Sequence, residues 1–338
     1  MRASLLIGTI LTLAFPLLSP GQALAVAVAS AARQEAKAPP EAMTQAERDA
    51  AEAAELRALF GREIYMELQA AEAAEAGDYR AAEQIWLILL AEAEAGESEN
   101  STVGGRRFSL AQVLLPQGRA QEAASLLEQV VDEAREAGEE FELAEVRLAE
   151  AYFDLGRYVE SAAILRPLYE GSQGVERMTY ANNLARALDG AGRHEEATTL
   201  LRQVVAAARA RDGQLFTVPH SLARSLFNLA RTLAAQGRDS EAGILFAESA
   251  ALTVERRPPG HTDIIAAHSF LARHKLLAEA DATGALAAAR TLSANLNAYL
   301  GDSTGGEIDR LQPIQNAGTP TDLFTLHVEA AFAVANGG

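Results

Sequence analysis

Residues 182–201 read NNLARALDGAGRHEEATTLL, and from residue 227 the chain reads FNLARTLAAQGRDSEAGILF. In both stretches Leu and Ala recur three and four positions apart on either side of a Gly, with polar residues between them. That is the period of a helix with one apolar face. The frame runs through much of the chain. Gly77-Asp78-Tyr79 comes with Ala82 and Trp86, Gly118-Arg119-Ala120 with Ala123 and Leu127, Gly156-Arg157-Tyr158 with Ala162, Gly192-Arg193-His194 with Ala197 and Leu201, and Gly237-Arg238-Asp239 with Ala242 and Phe246. Successive glycines stand 41, 38, 36 and 45 residues apart. Upstream, Leu110-Ala111, Leu148-Ala149, Leu184-Ala185 and Leu229-Ala230 each place the Ala seven residues before the Gly, and a weaker sixth copy begins at Leu271-Ala272.

Each copy predicts a helical hairpin. A first helix carries Leu and Ala on one face and ends at a Gly, which takes the left-handed conformation without a Cβ clash. The second helix starts two or three residues later. An Ala about five positions beyond the Gly, such as Ala123 or Ala197, lets the two axes approach, and the bulky residue four later, Trp86 or Phe246, fills the groove beyond it. One hairpin cannot cover its own apolar face, so neighbours must stack.

The flanks read differently. Arg2 precedes the apolar run SLLIGTILTLAFPLL, then Pro20, Gly21 and Ala23-Leu24-Ala25, the layout of a secretory signal peptide cut after Ala25, with Ala27 as the alternative. An uncleaved membrane anchor is the other reading of residues 1–28, but Pro16, Pro20, Gly21 and Gln22 interrupt it before the roughly 20 apolar residues of a span. Residues 26–55 surround Pro39-Pro40 and predict a spacer leading into an N-terminal helix, with the repeat array expected over 56–300. A linker is expected over 301–320, rich in Gly and Pro, and a capping helix and tail over 321–338, carrying Leu323, Phe324, Leu326, Val328 and Phe332.

The Leu-Ala pair, the Gly, the following aromatic or its substitute and the Ala resemble the tetratricopeptide repeat. The Asn-Leu-Ala wording and intervals near forty are most similar to the longer repeats of kinesin light chains. The resemblance covers Leu56 to Leu300. It implies an all-α fold, a right-handed superhelical solenoid of five clear helix-turn-helix repeats and one degenerate repeat, whose first helices line a concave face that takes extended peptides or partner segments. This chain departs from the pattern at Pro116 in the last turn of a first helix, at Pro167 inside a second helix, and at His194 and Asp239, which replace the usual Tyr. Local kinks are expected at the two prolines.

Function in such an array rests on what the first helices present. Immediately before the Leu stand Ser109, Arg147, Asn183, Asn228 and Phe270, and immediately after the Ala stand Gln112, Glu150, Arg186, Arg231 and Arg273. The resemblance implies that Asn183 and Asn228 bond a peptide backbone, which suits an amide that both donates and accepts. Arg186, Arg231 and Arg273 add planar forks suited to carboxylates. With repeats about 10 Å apart and an extended chain rising about 3.3 Å per residue, a ligand meets one Arg about every three residues. The expected ligand is an acidic or C-terminal peptide segment. The competing reading makes the three arginines partners for Glu and Asp on neighbouring helices, and the two asparagines solvated or bonded helix to helix.

Composition narrows the classes further. Only 6% of residues are aromatic while 49% are apolar, so the core is built from small side chains. The 46 acidic residues outweigh 29 basic ones for a net charge of −17, which repels nucleic acid and anionic lipid surfaces. With no Cys there is neither disulfide nor thiol nucleophile nor a Cys for a lipid anchor. His268 and His274, six apart, do not share a helix face, so no metal site is predicted. GDSTGG at 301–306 is similar to the surroundings of nucleophilic serines but lacks strand-turn-helix context and partners, and reads as linker. No cofactor and no enzymatic activity are expected. The sequence therefore predicts an exported protein, periplasmic or secreted, that binds a protein or peptide partner. A structural subunit of an envelope assembly docked through convex or terminal surfaces is the alternative, and a hydrolase using GDSTGG a distant third.

Overall fold

The structure is a computed structural model that describes residues 61–98, 102–139, 141–211, 219–301 and 320–335. The expected signal segment, the spacer and all but the ends of the 301–320 linker lie outside the described residues. Within them, regular structure is helical throughout. The chain divides into two compact units, one up to Ala144 and one from Glu145.

The first unit contains α1 (61–75), α2 (Tyr79–Glu94), α3 (Val103–Leu114) and α4 (Ala120–Ala137), and ends in the first turn of α5 (Glu142–Asp154). The second unit holds the rest of α5, then α6 (Tyr158–Gly171), α7 (Gly174–Gly190), α8 (His194–Arg211), α9 (Pro219–Ala235), α10 (Asp239–Arg256), α11 (Thr262–Leu277), α12 (Ala282–Gly301) and α13 (Pro320–Ala335).

The five glycines of the sequence frame share one geometry. Gly77, Gly118, Gly156, Gly192 and Gly237 have φ between 72° and 79°. At each, the Gly N–H bonds the carbonyl three residues back and the next N–H bonds five back, as in Gly192 to Asp189 at 3.0 Å and Arg193 to Leu188 at 2.8 Å. This double bond satisfies carbonyls that a helix end leaves open. The second helix then starts at once. In four of the five turns the residue after the Gly is an Arg that pairs with a Glu three positions on: Arg119 with Glu122, Arg157 with Glu160, Arg193 with Glu196 and Arg238 with Glu241. The recurring Gly-Arg-X-X-Glu is visible in the sequence and marks the start of these second helices.

Small residues sit where the axes come closest. Ala82, Ala123, Ala197 and Ala242 are fully buried. In the α5–α6 pair the sequence frame named Ala162, but the position five beyond Gly156 belongs to Ser161. Its side chain is fully buried, and its hydroxyl donates to the Ala149 carbonyl at 2.7 Å. Ser substitutes for Ala there because it is nearly as small and its one polar atom is satisfied. Trp86, Leu127, Leu165, Leu201 and Phe246 fill the adjoining grooves.

The two prolines sit in different settings. Pro116 turns the end of the first helix of its pair into a short 3-10 segment, Leu115–Gln117, before Gly118. Pro167 lies within α6, which continues to Gly171. The sixth pair, α11 and α12, lacks the Gly: Ala280 takes the left-handed conformation at φ 53°, and the Asp281 carboxylate caps the next helix by accepting from Gly284 N–H at 2.8 Å.

The core of the second unit runs from Ala149 to Ala330 without a break and includes Leu323, Leu326 and Ala330 of α13. That helix packs on α12 and α11, with Ser293 and His327 in hydrogen-bond contact at 2.8 Å.

Candidate functional site

In the second unit, α5, α7, α9 and α11 are the first helices of their pairs, and the predicted residues lie on them. The relative register of α7 and α9 is set by a buried polar network. The Asn182 amide donates to Ser225 Oγ at 2.9 Å and to the Met178 carbonyl at 3.0 Å, while Asn228 Nδ2 donates to Asn182 Oδ1 at 3.1 Å. Asn228 is buried, with its amide turned to the neighbouring helix. Asn182 was not among the predicted residues. The signal was the doubled Asn at 182–183, of which the structure sends one member inward and leaves the other half-buried.

Asn183 lines a cleft with Val146, Ala149, Glu150, Phe153, Ser161, Leu165 and Arg186. The Arg186 guanidinium lies 4.3 Å from the Phe153 ring centroid. One pair further on, Arg231 stands 5.9 Å from the Phe270 ring, which meets Phe227 edge-on at 5.0 Å. Rings placed this way attract a cation and limit the orientations of its side chain. Arg273 is half-buried on α11, three positions after Phe270.

Among the described residues, none of Arg186, Arg231 and Arg273 has a carboxylate oxygen within 4.0 Å. Arginines on the second helices behave differently. Arg166 pairs with Glu196 at 2.7 Å, Arg202 with Glu241 at 3.4 Å and Arg209 with Glu248 at 2.6 Å, each linking one second helix to the next. Neutralisation of neighbouring helices is thus carried by the second-helix arginines, while three guanidinium groups on the first helices keep their hydrogen-bonding edges uncommitted.

Burial, and then repulsion from Arg231, hold the Arg186 pKa below its ordinary value, with Glu150 and Asp154 pulling the other way and Arg224 adding to the repulsion. An arginine starts so far above neutrality that it stays charged. Asp154 sits at the edge of the same site with its pKa raised, first by burial and then by Glu150, while Arg186 lowers it. Glu150 is engaged by Arg147 at 2.8 Å. Phe153, Asp154 and Arg224 were missing from the sequence reading because none occupies the aligned positions beside Leu-Ala.

The two histidines considered for metal serve the backbone instead. His268 Nδ1 meets the Ile264 carbonyl at 3.1 Å and His274 Nε2 the Asp239 carbonyl at 2.9 Å, both rings being buried. Burial lowers the His268 pKa. Among the described residues no three metal-ligating side chains cluster, and no helix is long and apolar enough to cross a membrane. Of GDSTGG, only Gly301 lies within the described residues.

Residues 177–210, which span most of α7 and all but the last residue of α8, match the family model of the tetratricopeptide repeat. Three solved structures illustrate the likeness. The nearly identical TPR-like repeats of a protein assigned as a kinesin light chain from Podosopora anserina are 26% identical, with 60% of this chain and 96% of that chain covered and a TM-score of 0.47. The quorum sensor NprR from B. thuringiensis, in its apo form, is 15% identical over 86% of this chain and 89% of its own, with a TM-score of 0.53. A Rap protein complexed with the competence and sporulation factor is 13% identical over 94% and 96%, with a TM-score of 0.50. The last two share the helical-repeat fold. None of the curated proteins matches the chain by sequence.

Proposed function

Since the chain is a tetratricopeptide-repeat protein, we propose that it acts as an exported scaffold holding a partner protein through an extended acidic or C-terminal segment laid along the first helices of its second unit. The observation that carries this reading is the set of three arginines at one repeat position, Arg186, Arg231 and Arg273, that have no carboxylate partner among the described residues of a chain with net charge −17. In so acidic a protein, three guanidinium groups without partners on one face are seats for anions from outside. Asn183, beside Arg186 in the cleft, offers an amide to the ligand backbone. Asn228 acts from behind, bracing α9 against α7 through Asn182. Among proteins of the same fold, the Rap structure was solved with the competence and sporulation factor bound, and NprR is a quorum sensor. A binding role for a surface of this kind is consistent with both.

The test is peptide binding by the full chain and by a variant with Arg186, Arg231 and Arg273 replaced by Ala. Acidic peptides should lose affinity by at least tenfold, and the salt dependence of binding should flatten. Unchanged affinity and unchanged salt dependence remove the groove role. Export is checked separately, by fractionating cells that express the full chain and sequencing the N-terminus of the recovered protein.

A further inference from the structure

The hydrogen bond from Asn228 to Asn182 fixes how α7 and α9 lie beside each other. Arg186 is one turn beyond Asn182 and Arg231 is three residues beyond Asn228, so the two positions stand at the same level on neighbouring helices, Arg186 reaching a ring of α5 and Arg231 a ring of α11. Both are half-buried, both rest against a phenylalanine ring, and neither has an ion-pair partner among the described residues. Arg224, two turns earlier on the same face of α9, is exposed and likewise has no ion pair among the described residues. Their charges act on one another, since Arg231 and Arg224 both disfavour the protonated state of Arg186. Like charges brought together on packed helices are unfavourable by themselves. A single carboxylate leaves one of the two neighbouring charges uncompensated, whereas a dianion compensates both.

Resting on the peptide-binding reading above, we propose that the seam between α7 and α9 seats one phosphoryl monoester carried by the bound segment, gripped by Arg186 and Arg231 with Arg224 at the rim. A phosphoryl group carries about −1.5 to −2 charge at neutral pH and presents three acceptor oxygens, which matches two planar forks better than one carboxylate does. Phe153 and Phe270 hold the guanidinium groups in place without occupying their N–H edges. The nearby anionic groups are Glu150, already engaged by Arg147, and Asp154. Asp154 opposes any anion, and a dianion more than a carboxylate, so the preference for the phosphoryl group rests on the two guanidinium groups outweighing it.

The experiment titrates the full chain, at fixed ionic strength, with one Gly/Ala decapeptide bearing a central Ser, Glu or phosphoserine, and with inorganic phosphate alone. Phosphoserine is expected to bind at least tenfold more tightly than Glu. Arg186→Gln and Arg231→Gln should each abolish that margin, Arg186→Lys should reduce it, and Arg202→Gln, on a second helix and paired with Glu241, should leave it in place, with circular dichroism checking that each variant is folded. Equal binding of the Glu and phosphoserine peptides, or a margin that survives both Gln variants, overturns the phosphoryl seat while leaving the acidic-segment reading intact. Inorganic phosphate binding as tightly as the phosphopeptide overturns the assignment of the group to a peptide. If phosphate binds and no peptide does, the peptide-binding reading falls with it.

Discussion

The guanidinium carbon of Arg186 stands 4.3 Å from the centroid of the Phe153 ring on the preceding first helix. Phe153 packs against the core of the second unit and meets Tyr158 edge-on at 5.2 Å, so the platform is itself held in place. An Arg without a carboxylate partner is otherwise free to swing, and ordering it on ligand binding costs side-chain entropy. Replacing the ring by an aliphatic group of similar bulk removes the platform and keeps the charge. Phe153→Leu should weaken binding of acidic peptides by about threefold to tenfold, the range of a part-buried cation–π contact. Isothermal titration beside Arg186→Ala checks it: the double variant should lose little more than Arg186→Ala alone, because the ring acts through the arginine.

Asp154 is the last residue of α5 and is exposed at the helix end. Its carboxylate makes no hydrogen bond or ion pair among the described residues, and its pKa is raised by burial and by Glu150. The folded chain therefore holds the Asp154 proton more tightly than the unfolded chain does. Its contribution to stability is present at pH below the ordinary aspartate range and is lost as pH rises through that range to the raised value. Asp154→Asn removes this loss. The variant should be more stable than the parent at about pH 7 and indistinguishable at about pH 3 in urea unfolding. It should also bind acidic peptides a few-fold more tightly, since an opposing charge beside Arg186 is gone.

In the first unit an arginine at a different position of a first helix is fully enclosed. Arg106 is 1% exposed and reaches Glu63 at 3.1 Å and Glu67, both on α1, with Trp86 5.8 Å from its guanidinium. The Glu67 pKa is raised by burial even though Arg106 pulls it down. Arg106→Met keeps the bulk and takes the guanidinium away from Glu67, and from Glu63, which keeps its bond from Ser98, in a poorly hydrated site, at a cost of about 3 kcal/mol. Without Arg106 the Glu67 pKa climbs further, so the loss should shrink as pH falls through the raised value and the carboxylate takes up a proton. A deficit in the urea midpoint that stays constant from about pH 4 to pH 8 would show that packing, and not charge, is at stake.

The fold was legible because its determinants are local. A Gly that ends a helix, an Ala that lets two axes meet and a large residue nine positions past the Gly each act within one hairpin, so a repeated sentence reports a repeated shape. The exception at Ser161 comes from the same rule, in that small size matters more than residue identity. The site was legible only in part. The frame identified Arg186, Arg231 and Arg273 as equivalent, but whether an arginine has a partner depends on residues thirty or more positions away, as Arg166 and Glu196 illustrate. Which of Asn182 and Asn183 turns inward depends on Ser225 and Asn228 across the helix pair. Phe153 appears in the sequence as an ordinary aromatic and Phe270 only as the residue before the sixth Leu-Ala pair, and only the packing of neighbouring repeats brings them to arginines.

The sixth hairpin offers a test of the turn argument where the sequence departs from it. In the other five turns a Gly supplies the left-handed residue, whereas here Ala280 holds φ 53° in an exposed position, and the following Asp281 N–H reaches the Lys275 carbonyl at 2.8 Å. A Cβ in this region costs about 1 to 2 kcal/mol, and Gly returns part of that gain through its greater freedom in the unfolded chain. Ala280→Gly should therefore stabilise the protein by about 0.5 to 1 kcal/mol, without affecting peptide binding. Gly237→Ala, which puts a Cβ on a residue at φ 72°, should destabilise it by a similar or larger amount. Urea denaturation of the two variants beside the parent decides the matter. Shifts of the same sign would mean that the sixth turn is shaped by the packing of α11 on α12 and not by the conformational preference of its central residue.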